Sequence, residues 1–473
     1  MSHSQRTQLL LCAFLLALSF LGHAPLAAQG TLFFSMEGTE SAFHGAGGTV
    51  ANPGNWAAVF RNEAILMHAP AAGASASACA DRATWTAHFG DDDGDGNYIE
   101  SVLGRVDALH LRVGAANPPS LFDFWISATD DVIGPFGTTG FNTILDGDIF
   151  RVLPGGGVER FISEAQVASA VGTFGNINVD AFALDETTGD IYLSFSAPVT
   201  ITGVVLDDGG VARISGASCT IGATGTVNSV LPGSAQIVLP ESYVNIYFLL
   251  AGQGSVGDLN DIALAPGGGT FNGLGGITLP NLWFAGSAST TGAVVVSTSG
   301  GVASMNGVTL QGGPALGLRP TDFTGLPNSH VAGLAVGPAT LTQKPRFLSI
   351  SDPGLITPGT LKLDATGCMP GQTLILLANS ATAWPPGLST GRTPTALFPA
   401  TFGSGSFREL FVDDFSDPLF MFTFAMPPLS VDLQGHASLS VAMPLLAPGF
   451  ALVVQGIDAT SFSVTTPVVV VTQ

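Results

Sequence analysis

The densest run of chemistry-bearing side chains in the sequence is Asp91-Asp92-Asp93-Gly94-Asp95-Gly96-Asn97-Tyr98-Ile99-Glu100. From Asp91 it has the form D-x-D-x-D-G, the opening of a calcium loop. Calcium takes six to eight oxygen ligands at about 2.3–2.6 Å. Carboxylates at alternate positions can turn inward together, Gly96 permits the sharp bend, and Asn97 offers a carbonyl. The twelfth position, where an EF-hand carries its bidentate acid, holds Val102, and Glu100 is the nearest substitute. The expectation is a shortened structural calcium loop with Asp91, Asp93, Asp95, Asn97 and Glu100 as ligands. An acidic, solvated turn is the alternative.

No other constellation has the spacing of a catalytic site. Gly252-Gln253-Gly254-Ser255-Val256-Gly257 matches G-x-G-x-x-G after the apolar run Val244–Ala251, taken as a strand. A dinucleotide site needs a helix next, because the helix N-terminus holds the pyrophosphate. Here a repeat strand follows, so the match is assigned to chance in a glycine-rich chain. Asp130-Asp131, Asp207-Asp208 and Asp413-Asp414 with Asp417 could supply acid–base pairs, but Asp beside Gly is commonly a turn. The histidines beyond residue 30 (His44, His68, His88, His110, His330 and His436) show no metal-ligand spacing, and no G-x-S-x-G elbow accompanies them. Trp85, Trp125 and Trp283 fall in strand-like runs and are expected to pack in cores, while Trp56 and Trp384 lie in turn-rich segments. No catalytic or cofactor-binding residue is assigned.

The elements that must position these groups are β-strands in repeats. An apolar–Asp/Asn–apolar strand recurs as Val106–Leu111, Val179–Leu184 and Leu259–Leu264, with a degenerate copy at Val331–Val336. The spacing is about 70 to 80 residues, longer than common propeller-blade periods. After each copy come a second strand (Phe122–Ser127, Ile191–Phe195, Leu282–Ala285), a third around an acidic turn (Ile144–Val152, Val205–Ile214) and a fourth (Val158–Ser163, Ala235–Leu239). Four alternating strands per unit is the content of a propeller blade. The segment that opens the repeats has Thr31–Ser35, Glu63–His68 and Thr84–Phe89 in second, third and fourth place but no first strand. Val331–Val336 is expected to supply it and so remove two exposed sheet edges. The fold expectation is therefore all-β: a propeller-like domain at 29–340 with four units, or five, then a β-sandwich at 341–473. The sandwich rests on strand signals at short intervals after a proline-rich linker.

Residues 1–28 have the order of a signal peptide: Arg6, the apolar run Leu9–Leu21, then Ala27 and Ala28 before Gln29. The run is too short to span a bilayer, and no later stretch reaches spanning length without interruption, so no transmembrane helix is expected after cleavage. Charged residues make up 10% of the chain, and its formal net charge is −21. That field repels phosphate backbones, which argues against nucleic acid as a partner. Once Cys12 is set aside with the leader, Cys79, Cys219 and Cys368 remain, enough for one disulfide and one thiol or for three free cysteines.

The Val-Asp-Ala strand at Val179–Phe182, the Asp-Gly-Asp turn at Asp146–Asp148 and Phe161–Glu164 resemble the repeats of uncharacterised exported bacterial proteins. The segments Gly435–Leu439 and Phe450–Gln455 are similar to the short β-sandwich that ends many of them. The resemblance covers nearly the whole chain after the leader and implies architecture, not activity. The functional expectation is a secreted or envelope-located, non-catalytic repeat protein that binds an extracellular glycan or protein. A carbohydrate-active or other hydrolytic enzyme and a structural envelope component are the alternatives.

Overall fold

The computed structural model describes residues 31–41, 59–69, 76–89, 103–133, 143–153, 158–173, 175–250, 254–265, 269–287, 294–297, 309–311, 316–318, 329–338, 347–350, 354–355, 358–380, 424–433, 435–445, 451–460, 465 and 468–472. The chain is predominantly β, in small antiparallel sheets. Four of these have four strands each. Sheet one runs Val331–Gly337, Thr31–Met36, Ile65–His68, Ser77–Ala80. Sheet two runs Val106–Leu111, Phe124–Ala128, Ile149–Val152, Val158–Ile162. Sheet three runs Val179–Asp185, Asp190–Phe195, Val211–Ile214, Ala235–Leu239. Sheet four runs Asp261–Leu264, Leu282–Ala285, Val294–Ser297, Thr309–Gln311.

The strand Val331–Gly337 lies in the first place of sheet one, antiparallel to Thr31–Met36 with Thr31 opposite Gly337. Each inner strand also packs against two others. Val106–Leu111 touches Val331–Gly337 and Val179–Asp185, and Asp261–Leu264 touches the same two. The four first strands therefore follow one another in a cycle of contacts. Apolar side chains from neighbouring sheets share cores. Phe33 of sheet one stacks edge-on against Phe124 of sheet two at 5.2 Å, and Phe161 of sheet two meets Phe182 of sheet three at 5.7 Å. The inner strands are buried along nearly their whole length, which is why they read as apolar runs rather than clean alternations.

Two segments expected as strands are helices. Arg82–Phe89 is α-helical, and the fourth strand of sheet one is Ser77–Ala80 instead. Asp81 starts that helix: its Oδ1 accepts the N–H of Thr84 at 3.1 Å, while Thr84 Oγ1 lies 3.3 Å from the Asp81 N–H. Trp85 and Phe89, one turn apart, then stack at 6.2 Å on the core side. Glu241–Leu250 is likewise a helix, not the strand expected before the glycine motif. It follows Pro240 and buries Val244, Tyr247 and Phe248, which recur at helical spacing.

The C-terminal region has two sheets around one core. Phe347–Ile350, Gly359–Thr366 and Ala437–Met443 form the first. In the second, Thr373–Ser380 pairs Ala451–Asp458, which pairs the terminal Val468–Thr472. Leu363, Leu376, Ala437 and Val454 are buried together between them. This unit rests on sheet one: Phe347 packs on Phe60 at 5.1 Å, and Ser77 Oγ meets Thr366 Oγ1 at 3.3 Å.

Candidate functional site

The repeat aligns Val106, Val179, Leu259 and Val331, and one register position further in lies a layer of small residues: Ala108, Ala181 and Gly333, with Asp261 as the fourth member. The Asp261 carboxylate fills the space the other three leave. Oδ2 accepts from the N–H of Leu109 at 2.8 Å and from Leu334 N–H, and Oδ1 accepts from Phe182 N–H at 2.9 Å and Ile262 N–H at 2.8 Å. Those four N–H groups occupy the same repeat position in the four inner strands. One carboxylate thus satisfies four equivalent backbone donors that point inward and have no strand to pair with. Burial raises the Asp261 carboxyl well above its ordinary value, and the backbone bonds oppose that shift. Gly333 is required beside it, since a Cβ there would lie 2.6 Å from Ser35 Oγ and 3.2 Å from Leu109 Cβ.

Hydroxyls on the second strands extend the ties between sheets. Ser35 Oγ donates to Val106 O at 2.6 Å and accepts from Gly333 N–H at 2.6 Å. Ser127 Oγ donates to Val179 O at 3.1 Å and accepts from Ala108 N–H at 2.9 Å. Asn260 Nδ2 donates to Val331 O at 2.8 Å.

The flanking layer, at the starts of the same strands, is electrostatically different. Arg105, Asn178, Asp258 and His330 precede the aligned apolar residue in each unit, and Asp107, Asp180, Asn260 and Ala332 follow it. Arg105 Nε donates to Asp107 Oδ1 at 2.6 Å, and Asn260 Nδ2 to Glu37 Oε1 at 3.1 Å. Glu37 N–H donates to His330 O, which places His330 beside the group. Asp180 and Asp258 are hydrogen-bonded to each other. Burial, with the charges of Asp107 and Asp258, lifts the Asp180 carboxyl far above the carboxylate range, so at neutral pH it carries the proton of the pair. Burial pushes Asp107 up to about 6 despite Arg105. Four buried polar atoms here carry no hydrogen bond among the described residues: the oxygens Asp107 Oδ2, Asn178 Oδ1 and Asp258 Oδ1, and the ring nitrogen His330 Nδ1. Asp107 itself is 2% exposed. A charged oxygen so enclosed and without a donor is rare in a folded interior.

The residues expected to carry chemistry fall elsewhere. Asp91, Asp93, Asp95, Asn97 and Glu100 lie outside the described residues, as do Asp413, Asp414, Asp417, Trp56 and Trp384. Among the described residues no three His, Cys, Asp or Glu side chains are placed to hold a metal ion. Asp131 sits at a turn, its Oδ1 accepting Asp146 N–H at 3.0 Å, and Asp207 closes a turn through Gly210 N–H. After Gly254–Gly257 comes the strand Asp261–Leu264, so no helix is there to receive a pyrophosphate. Trp125 is buried, with Arg151 at 5.0 Å, Arg112 at 5.5 Å and Phe161 at 5.2 Å from its ring, so it offers no open stacking platform. Trp85 is helical and donates Nε1–H to Glu63 O at 2.7 Å. Trp283 is in a core. His110 bonds Glu186 at 3.4 Å, and His436 lies 3.2 Å from Asp364. Cys79, Cys219 and Cys368 are free thiols.

No protein-family model matches the chain. No curated protein matches it either. Among solved structures it is similar to a mutant of Salmonella alpha-2-macroglobulin at 13% identity and a TM-score of 0.20, over 69% of this chain and 17% of that one. It is also similar to the native conformation of Escherichia coli alpha-2-macroglobulin at 9% identity and a TM-score of 0.18, over 69% of this chain and 19% of that one. The chain thus spans less than a fifth of either protein, and a likeness this slight carries no argument about what it does.

Sequence reasoning found the strands of this site and missed its centre. The aligned repeats contain the signal: Asp261 is the one charged residue in a layer otherwise made of Ala108, Ala181 and Gly333, and Asp107 and Asp180 recur one place before it.

Proposed function

We propose that the chain is an exported, non-catalytic repeat protein, a four-bladed β-propeller followed by a β-sandwich, that binds an extracellular glycan or protein. The observation that carries this reading is how three of its deeply buried acids are held. Asp261 accepts four backbone N–H groups. Asp148 accepts Leu145 N–H at 3.0 Å and Glu164 N–H at 2.8 Å and pairs with Arg160. Glu63 accepts Leu103 N–H at 3.1 Å and Arg82 Nε–H at 2.6 Å. Each is bound to fixed donors and joins elements of the chain, which suits a scaffold better than a reacting group. The cycle of inner strands supports the propeller and the count of four blades. In this reading residues 1–28 are removed on export, and a calcium ion held by Asp91, Asp93, Asp95, Asn97 and Glu100 stabilises the loop before Val106–Leu111.

A hydrolytic enzyme is the second reading, and Asp180 with Asp258 is the pair that favours it. Glycoside hydrolysis requires carboxyls about 5–9.5 Å apart. These two are in hydrogen-bond contact, an arrangement suited to sharing one proton, not to flanking a sugar. The deciding experiment presents the full protein, with and without calcium, to an array of surface glycans and envelope proteins and follows both retention and breakdown. Retention of an unaltered partner supports the binding protein. Turnover that is lost in Asp180→Asn supports the enzyme, and neither retention nor turnover overturns both.

A further inference from the structure

We infer that the mouth of the inner-strand ring, one level beyond Asp261, binds a small monoanion, a carboxylate or a halide, through the main-chain N–H groups of Leu111, Leu264 and Val336. The inference goes beyond the binding-protein reading and needs only the four inner strands. Along a strand of an antiparallel pair, N–H groups point alternately at the partner strand and away from it. Those of Leu109, Phe182, Ile262 and Leu334 point away from their partners, since all four reach Asp261. Two residues on, at Leu111, Leu184, Leu264 and Val336, the direction is the same. The register is unbroken over this stretch in every sheet: Leu111 lies opposite Phe124, Leu184 opposite Ile191, Leu264 opposite Leu282 and Val336 opposite Leu32. The bonds that follow fix the phase, because Arg112 N–H donates to Asp123 O and Ala265 N–H to Asn281 O, both at 2.9 Å. Leu184 N–H, pointing inward as its position requires, reaches His110 Nδ1 at 3.4 Å.

This second level repeats the first with its acceptor missing. At the first, Asp261 stands among Ala108, Ala181 and Gly333; at the second, His110 stands among Ala183, Ala263 and Ala335. Asp261 takes all four N–H groups of its level, whereas His110 takes that of Leu184 alone. The N–H groups of Leu111, Leu264 and Val336 meet no acceptor among the described residues. The two levels lie about 7 Å apart, two residues of strand. Leu109, Phe182, Ile262 and Leu334 are fully buried, while Leu111, Leu264 and Val336 are partly exposed, so the ring opens to solvent at the second level. Carbonyls alternate with the N–H groups along each inner edge at both levels, and the first level holds a carboxylate all the same. An anion at the mouth completes there what Asp261 completes inside. The net charge of −21 works against any anion, so binding is expected to be weak, in the millimolar range.

The test is a nuclear magnetic resonance titration of the full protein, labelled with nitrogen-15 at leucine and valine, with acetate and separately with chloride. A bulky organic sulfonate serves as background anion, at a constant ionic strength of about 0.1 M so that screening does not change. The amides of Leu111, Leu264 and Val336 are expected to shift together along one saturating curve, while those of Leu109 and Leu334, already held by Asp261, stay in place. A response to acetate alone assigns a carboxylate, and a response to chloride assigns a halide. The second arm is Ala263→Asp, which sets a carboxylate at the second level on the strand that carries Asp261 at the first. This variant should melt higher than the parent in the sulfonate buffer and lose the response of all three amides. If it does not fold, the titration of the parent decides alone. Three amides that stay unmoved by both anions, or that move no more than Leu109 and Leu334, overturn the inference, as does a folded Ala263→Asp that still responds. Partner retention on the array is unaffected by either result, so the binding-protein reading stands or falls separately.

Discussion

Two adjacent layers of the same four strands treat carboxylates in opposite ways. In the inner layer, one acid faces four donors: Asp261 collects the N–H groups of Leu109, Phe182, Ile262 and Leu334. In the flanking layer several acids lie near a single cation, Arg105, and buried oxygens of Asp107 and Asp258 are left without a hydrogen bond. The first arrangement lowers the free energy of the fold. The second raises it, and persists only because the strands are already fixed by the layer beneath. Buried charge therefore has no single meaning in this molecule. The count of available donors decides whether it ties the strands together or loads them with strain.

The largest expected effect is at the centre. Asp261→Ala leaves four inward N–H groups without an acceptor, at about 1–3 kcal/mol each, so a loss on the order of 5 kcal/mol or outright failure to fold is expected in chemical denaturation. A variant that melts like the parent would erase the distinction between the layers. Ser35→Ala removes the hydroxyl that joins Val106 O to Gly333 N–H. It should cost about 2 kcal/mol, seen as a lower denaturation midpoint with an unchanged slope.

The flanking layer should respond with the opposite sign. Asp258→Asn removes a charge from an acid-rich group and is expected to raise the denaturation midpoint at about pH 8, with no gain near about pH 5, where the parent is already largely protonated. The native state overall should follow the same sign. Asp107 is raised to about 6, and Asp81, buried beside Glu63, to about 7. The folded protein therefore holds protons that the unfolded chain releases near about pH 4. Stability from these groups is full below that pH and is lost as pH rises through about 6 and about 7, which a series of melting curves from pH 4 to pH 8 checks. The smallest effect belongs to Asn178→Ala. Its Oδ1 is buried without a donor, so a change within about 0.5 kcal/mol is expected, and a large loss would show that it holds the strand in place.

The strand order of sheets two and three was legible because buried strands repeat their apolar positions and their turns carry Asp and Gly, whereas Ser77–Ala80 of sheet one and Val294–Ser297 and Thr309–Gln311 of sheet four were not read. Even the degenerate Val331–Val336 could be placed, since the first unit lacked a strand of its kind. The helices were not legible. Thr84–Phe89 alternates apolar and polar residues well enough to pass for a strand, and its cap, Asp81, follows the strand Ser77–Ala80 without a break. Val244–Ala251 is too apolar for periodicity to separate helix from strand. The centre of the site was hidden for another reason. The partners of Asp261 are main-chain N–H groups, and every residue type but proline carries one, so the pairing leaves no trace in side-chain pattern. The acid-rich run that drew attention, Asp91–Glu100, lies outside the described residues.

The pairing of Thr31–Met36 with Val331–Gly337 has a consequence for how the chain comes to be folded. Roughly three hundred residues separate the partners, a loop whose closure is slow and comes late. During synthesis, sheets two and three can assemble soon after they emerge. Sheet one must wait, with an unpaired edge, until Gly337 is made, and the four-donor nest around Asp261 lacks the Leu334 N–H until the same moment. The last step of assembly therefore joins the oldest part of the chain to a young one, and a nascent chain halted anywhere before residue 331 should remain open to proteases and chaperones at Thr31–Met36.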